Sequence, residues 1–286
     1  MAAELRRDFY EQKRVHTRER EKMSNPIFDL AQKRKTLLAA HRGVNGGNIP
    51  CNSLEAFQIA LNEGADIVEL DVESSSDGKL FIQHPKKEPM HLRLKDSIRL
   101  YPSEFVKELY LSNPDHNRTD YHIPRLEEAL DLLNGKCYIN VDKFWCNPKE
   151  IQALIKERHM EDQIIVKTKY EAMDIAALEE FAEGLNFMPV VRDTDPSLDV
   201  LDASKIRHIG SEVLFSSDDA AVASKEYVEK MHDAEKVIWV NPILYNTTTI
   251  LTGTHTDDIA IVRDPEHGWG WLADRGFDIL QTDWIT

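Results

Sequence analysis

Cysteine is scarce in this chain. Cys51, Cys137 and Cys146 are the only three, an odd number with no CxxC spacing. Neither a disulfide framework nor a zinc site is expected from them, and the usage fits a reducing cytoplasm. Long apolar runs are lacking too. No stretch approaches the roughly 20 apolar residues of a membrane span, and the opening MAAELRRDFYEQKRVHTRERE has no apolar centre of the kind a secretory leader needs. Positive charge is in deficit, with a formal net charge of −15. That argues against nucleic acid as a partner. It leaves a small phosphate substrate open, because a site answers to local charge and to any bound metal.

What is present is an ordinary soluble composition: 42% apolar and 30% charged residues over 286 positions, enough for a sizeable core. Residues 1–36 stand apart, with ten basic against six acidic residues, so that they carry +4 while the remainder carries −19. They read as an arm of one or two polar helices, Ser24 capping the second, packed against the domain or against a second subunit. From Thr36 onward, β-rich runs alternate with amphipathic helical stretches. The runs are TLLAAH, DIVELDV, KLFIQH, CYINVD, QIIVKT, FMPVVR, EVLFSS, KVIWVN and DILQTD; NSLEAFQIALNEG, PRLEEALDLLNG and DIAALEEFAEGL lie between some of them. Such alternation predicts parallel strands with helices outside, and at this length a (β/α)8 barrel over residues 37–286 is the economical closure. DIVELDV and KLFIQH are too close together for a crossover helix, so one of the nine runs is accessory. Residues 85–122 break the rhythm and read as an insertion over the barrel mouth.

The strand ends carry the chemistry. His41 and Arg42 follow the first strand, Glu69 and Asp71 lie in the second, His84 ends the third, and Asp142 and Lys143 close the fourth. Glu69 and Asp71 are two apart, so on a strand they leave the same face, and with Leu70 facing the helices both would point into the barrel. Glu69, Asp71 and Asp142 are hard oxygen ligands of the kind Mg2+ or Ca2+ takes. Arg42 and Lys143 could clamp a phosphate, and His41 and His84 could exchange protons near neutral pH. Singly, each has a bland reading: a hydrogen-bonded structural histidine, an edge charge pair, a surface ion pair. Together they describe phosphodiester cleavage.

These residues resemble the glycerophosphodiester phosphodiesterases of the PLC-like TIM-barrel superfamily. The resemblance runs from about Ala39 to the C-terminus, through HRG, NSLEAF with GADIVELDV, DGKLFIQH, IPRLEEAL, INVDK and GFDILQTD. It implies His41 and His84 as the acid/base pair and Glu69, Asp71 and Asp142 as metal ligands. Arg42 and Lys143 become phosphate contacts, and Trp239 a substrate-facing aromatic. Three departures stand out. Cys51 and Pro85 occupy places where the family commonly has acidic residues, with Glu88 a candidate replacement, and Lys143 directly follows Asp142 instead of lying two residues after the acid. The expected partner is therefore a small phosphodiester, with neither nucleic acid nor a membrane span. Two alternatives remain: a phospholipid head-group lyase that forms a cyclic phosphate, and a barrel that binds a phosphodiester without turning it over.

Overall fold

In the computed structural model, which describes residues 25–285, the alternating runs close on themselves. The strands are β1 (Leu37–Ala40), β2 (Ile67–Ser74), β3 (Leu80–Ile82), β4 (Tyr110–Ser112), β5 (Arg118–His122), β6 (Tyr138–Asp142), β7 (Ile164–Lys169), β8 (Asn186–Arg192), β9 (Arg207–His208), β10 (Gly210–Leu214), β11 (Val237–Val240) and β12 (Ile279–Thr282). Eight of them form a ring in the order β1, β2, β6, β7, β8, β10, β11, β12 and back to β1, every neighbouring pair parallel. This is the (β/α)8 barrel that the pattern predicts. All nine runs become strands, and the accessory one is β3, which pairs antiparallel with β2 outside the ring.

The helices are α1 (Pro26–Arg34), α2 (Leu54–Asn62), α3 (Glu88–His91), α4 (Ser103–Val106), α5 (Leu126–Leu133), α6 (Pro148–Glu157), α7 (Ile175–Phe181), α8 (Asp199–Ala203), α9 (Lys225–Asp233), α10 (Asp257–Val262) and α11 (Trp271–Arg275). Local signals set their starts. Ser53, Asp174, Ser224 and Thr256 accept backbone N–H groups as N-caps, and Pro148 opens α6. Among the described residues, no helix is long and apolar enough to cross a membrane.

Period-two alternation divides each stave between two cores. On β2, Val68, Leu70 and Val72 face outward against Phe57 of α2 and Leu126 and Leu130 of α5. Ile67 faces inward with Leu37, Ile165, Met188, Val237 and Trp239. Helix α1 closes the N-terminal end of this interior, contributing Ile27 and Ala31. Its cap is Asn25, which accepts from Phe28 N at 3.3 Å and donates through Nδ2 to the carbonyls of Ile209 and Glu235 at 2.9 and 2.8 Å. Ser24, the cap that the sequence suggested, lies with the rest of residues 1–24 outside the described residues. Between β3 and α5, residues 85–122 are not featureless: they hold α3, α4 and the β4–β5 hairpin around a small core of Phe81, Leu92, Ile98, Val106, Leu111 and Ile123.

Candidate active site

The inward face of β2 changes from apolar to acidic along its length. Ile67 lies in the core, while Glu69 and Asp71, one and two steps nearer the C-terminal rim, are 3% and 1% exposed. Strand β6 runs beside it in register, Asp71 opposite Asp142. Glu69, Asp71 and Asp142 each place a carboxylate oxygen so that the three lie within 4.8 Å of one another. That spacing suits three ligands around one cation of oxygen-preferring type.

Two charges this close in a dry site need compensation. Burial and the neighbouring Asp71 push the Glu69 carboxyl up to about 7. Asp71 goes the other way: burial raises its pKa, but Arg42, His84 and Lys143 outweigh that and hold it ionised. Its Oδ2 lies 3.0 Å from Arg42 Nε and accepts from Asn52 Nδ2 at 3.0 Å. Its Oδ1 has no hydrogen-bond partner, and the nearest cations are Lys143 Nζ at 3.5 Å and His84 Nε2 at 4.0 Å. A buried carboxylate oxygen left without a donor beside two more carboxylates is a donor set that a divalent ion fits.

The turn after β1 aims the first pair. Arg42 takes φ +59°, and its backbone N–H donates to Glu69 Oε2 at 2.9 Å. Gly43, at φ +76°, lets this turn lie against α2: a Cβ there would stand 2.7 Å from the Ala56 carbonyl carbon. Lys143 is aimed in a comparable way. Adjacent strand residues face opposite sides, so Asp142 and Lys143 could not both enter one site from a continuing strand. The strand ends at Asp142, and Lys143 adopts φ +62°, which turns its ammonium back to ion-pair with both Asp142 and Asp71.

The two histidines differ in their supports. His41 is 7% exposed, and its Nδ1 lies 2.7 Å from Asp283 Oδ1. Burial lowers its pKa, but the bond to Asp283 and the charge of Glu69 carry the net shift upward. His84 Nδ1 lies 2.7 Å from the carbonyl oxygen of Pro85. Its pKa is lowered, chiefly by burial. Pro85, which stands where the family commonly has an acid, thus supplies an acceptor from the main chain instead. Glu88 is buried with Oε1 unpartnered, and among the described residues no ion pair joins it to His84. Cys51, the other replaced acid, sits with Sγ 3.8 Å from His91 Nε2, and burial pushes its thiol up to about 11, so it brings no negative charge.

Trp239 departs from its expected place. It is 0% exposed in the barrel interior, its Nε1 donates to Asn241 Oδ1 at 2.9 Å, and Lys167 Nζ covers its ring at 3.1 Å. The inward period of β11 that aims it at the axis also places it below the rim, so it offers a substrate no accessible surface. Phe144 is likewise core, and Trp145 donates to the Lys167 carbonyl at 2.9 Å.

Several residues that reading the sequence missed support this site. Asn52, at φ +57°, holds Asp71 from the α2 side; an Asn directly before a capping Ser is a recognisable left-handed position. Asp283 follows the last strand, where the strand-end rule could have found it. Lys167 and Glu212 form a buried pair at 2.7 Å, and Asn241 donates to the other Glu212 oxygen at 2.7 Å. Their signal was a charge at an inward position of an otherwise apolar strand.

Comparison with known proteins agrees with this fold. A family model described as a domain of unknown function, DUF4996, matches residues 187–286. The chain is 26% identical over 212 residues to a glycerophosphodiester phosphodiesterase of Bacillus altitudinis, covering 71% of this chain and 84% of that protein. Among solved structures, a glycerophosphoryl diester phosphodiesterase of Parabacteroides distasonis superposes with a TM-score of 0.69 at 21% identity, covering 87% of this chain and 82% of that one. A phosphodiesterase of Oleispira antarctica, in complex with its product sn-glycerol-3-phosphate, gives 0.59 at 18% identity, over 88% and 95%. With the barrel closed and the HRG, ExD and strand-end acid motifs meeting at one rim, the chain is similar in sequence and in fold to the glycerophosphodiester phosphodiesterases.

Proposed function

We propose that the chain hydrolyses a glycerophosphodiester to an alcohol and glycerol phosphate by histidine acid/base chemistry beside a divalent cation. The observation that carries this reading is Asp71. One buried carboxylate faces Arg42 at 3.0 Å, Lys143 at 3.5 Å and His84 at 4.0 Å, with Glu69 and Asp142 alongside. The name of the Bacillus relative and the product bound in the Oleispira enzyme support the substrate class. The scarcity of cysteine supports a reducing, cytoplasmic setting.

Glu69, Asp71 and Asp142 would hold the ion, of Mg2+ or Ca2+ type, whose contribution when bound is to neutralise a non-bridging phosphoryl oxygen. Arg42 and Lys143 flank Asp71 and present two fixed cations to the phosphate. One of the two imidazoles takes the nucleophile's proton while the other protonates the departing alkoxide; Asp283 engages Nδ1 of His41 and leaves its Nε2 to do the exchange. His84, with Nδ1 engaged by the Pro85 carbonyl, likewise presents Nε2 to the substrate.

The test is a panel of glycerophosphodiesters assayed with Mg2+, with Ca2+ and with EDTA, on the wild type, His41→Ala and His84→Ala. Each substitution should lower the rate at least about 10²-fold, and EDTA should abolish turnover reversibly. Near-normal rates in both variants, or indifference to EDTA, defeat the reading. Phosphorus NMR of the product separates glycerol phosphate from a cyclic phosphate.

A further inference from the structure

The loop that follows β11, residues 241–256, rises over the rim and is fixed at both feet. At one foot, Asn241 donates to Glu212 at 2.7 Å, and Pro242 accepts from Asp257 N at 2.9 Å. At the other, Phe215 N donates to the Leu251 carbonyl at 2.9 Å. His255 lies 3.0 Å from Asp218 and 2.6 Å from the His267 carbonyl, and stacks on Trp271 with ring centres 3.8 Å apart. Arg192 adds a bond to the Ile250 carbonyl at 3.2 Å. Near the top, Asn246 Oδ1 accepts from the backbone N–H groups of Thr248 and Thr249 at 2.9 and 2.8 Å, closing a local turn directly after Tyr245.

Tyr245 is placed by this loop. Its ring meets the imidazole of His41 edge-on, with centres 5.9 Å apart and planes at 65°. The residue as a whole is 55% exposed. The hydroxyl end, however, lies in the field of Glu69, Arg42, Glu212 and Asp142, and burial together with those carboxylates raises the phenol's pKa, keeping it a neutral donor. No described residue hydrogen-bonds that hydroxyl. A phenol set against the His41 imidazole, with no described partner for its own proton, is placed to donate to an anion brought to that histidine.

We propose that Tyr245 is a substrate-contacting residue. Its hydroxyl donates a hydrogen bond to an oxygen of the bound phosphodiester, across the site from Arg42, and its ring confines the His41 imidazole. The Glu212–Lys167–Asn241 network at the foot of its loop is polar, so the group received on this side is a hydroxyl-bearing alcohol rather than an acyl chain. The proposal rests on the phosphodiesterase reading above and specifies which side of the rim holds the organic group.

The experiment compares the wild type with Tyr245→Phe and Tyr245→Ala, measuring kcat and KM on a glycerophosphodiester and, by calorimetry, the binding of sn-glycerol 3-phosphate in the presence of divalent cation. Tyr245→Phe keeps the ring and loses the donor. It should weaken binding and raise KM about tenfold with kcat and thermal stability little changed. Tyr245→Ala should in addition lower kcat, since His41 loses its neighbour. If Tyr245→Phe binds and turns over like the wild type, the contact does not exist and the proposal fails. If the wild type binds glycerol phosphate with the tenfold Tyr245 dependence yet turns nothing over, the hydrolase reading fails while the Tyr245 contact stands. If the wild type neither binds nor turns over, both fall.

Discussion

Replacing Asp283 by Asn keeps the size of the side chain and removes its charge. Asp283 sits at the end of β12, and its only described work on the site is the 2.7 Å contact with His41 Nδ1. It is itself held from behind. Its backbone N–H donates to Asp257 Oδ2 at 3.1 Å, and Asp257 in turn accepts from Trp269 Nε1 at 2.7 Å. The perturbation should therefore leave the loop in place and act through the imidazole. A hydrogen bond to a charged group contributes about 1.5–3 kcal/mol. Asp283 is 41% exposed at its side chain, so solvent screens part of that and the lower end applies. About 1.5 kcal/mol corresponds to roughly tenfold in kcat. The pH dependence has a sign as well. His41 is lifted above its ordinary 6.5 against the pull of burial, by Asp283 and Glu69. Without the carboxylate its pKa falls, so the limb of the kcat/KM pH profile that His41 sets should move to lower pH. Stability follows from the same shift. A histidine whose folded pKa is raised contributes stability below about pH 6.5 and loses it as pH rises through the folded value. The thermal gap between wild type and Asp283→Asn should therefore be widest on the acid side. Stopped assays over a pH series, with melting curves in the same buffers, measure all three. A variant with full kcat and an unmoved limb, or one as dead as His41→Ala, refutes the assigned support.

Two further predictions follow from packing and burial. Gly43→Ala forces an L side chain into φ +76° and against the Ala56 backbone at 2.7 Å, so it should cost at least about 1–3 kcal/mol and lower the melting temperature by several degrees while weakening turnover through Arg42. His91 is held near 4, below its ordinary 6.5, first by burial and then by Arg42. Below pH 6.5 the unfolded chain binds the proton that the folded chain refuses. The protein should therefore lose on the order of 3 kcal/mol as pH falls from 6.5 towards 4, and His91→Gln should flatten that slope in melting curves. An unchanged slope would locate the acid sensitivity elsewhere.

Period and punctuation made most of the barrel legible in the sequence. In DIVELDV, the alternation of Val68 and Leu70 with Glu69 and Asp71 says which residues meet helices and which face the axis, and the structure follows it. A backbone sign was not legible. Nothing in INVDK announces that Lys143 takes φ +62°, yet that one dihedral puts its ammonium beside the acids instead of among the helices. Trp239 failed for a related reason: periodicity gives the direction of a side chain but not its height along the axis, and Trp239 sits one layer too deep. Tyr245 had no signal at all, because a long aperiodic loop is folded by contacts with Glu212, Asp218 and Trp271, which are distant in sequence or unremarkable in it. Asp283 and Asn52 were in view and unread, since each acts on another side chain rather than on a ligand.

Strand β3 lies outside the ring, and this sets an asymmetry between the two imidazoles. His41 leaves a stave and is braced by the neighbouring stave, so loosening it means loosening the cylinder. His84 hangs from an appendage whose rigidity comes from six apolar residues of its own. Drift in that small cluster can re-aim His84 while His41 and the three carboxylates stay where they are. For the proposed chemistry, that makes the annex the part whose editing would change the leaving group.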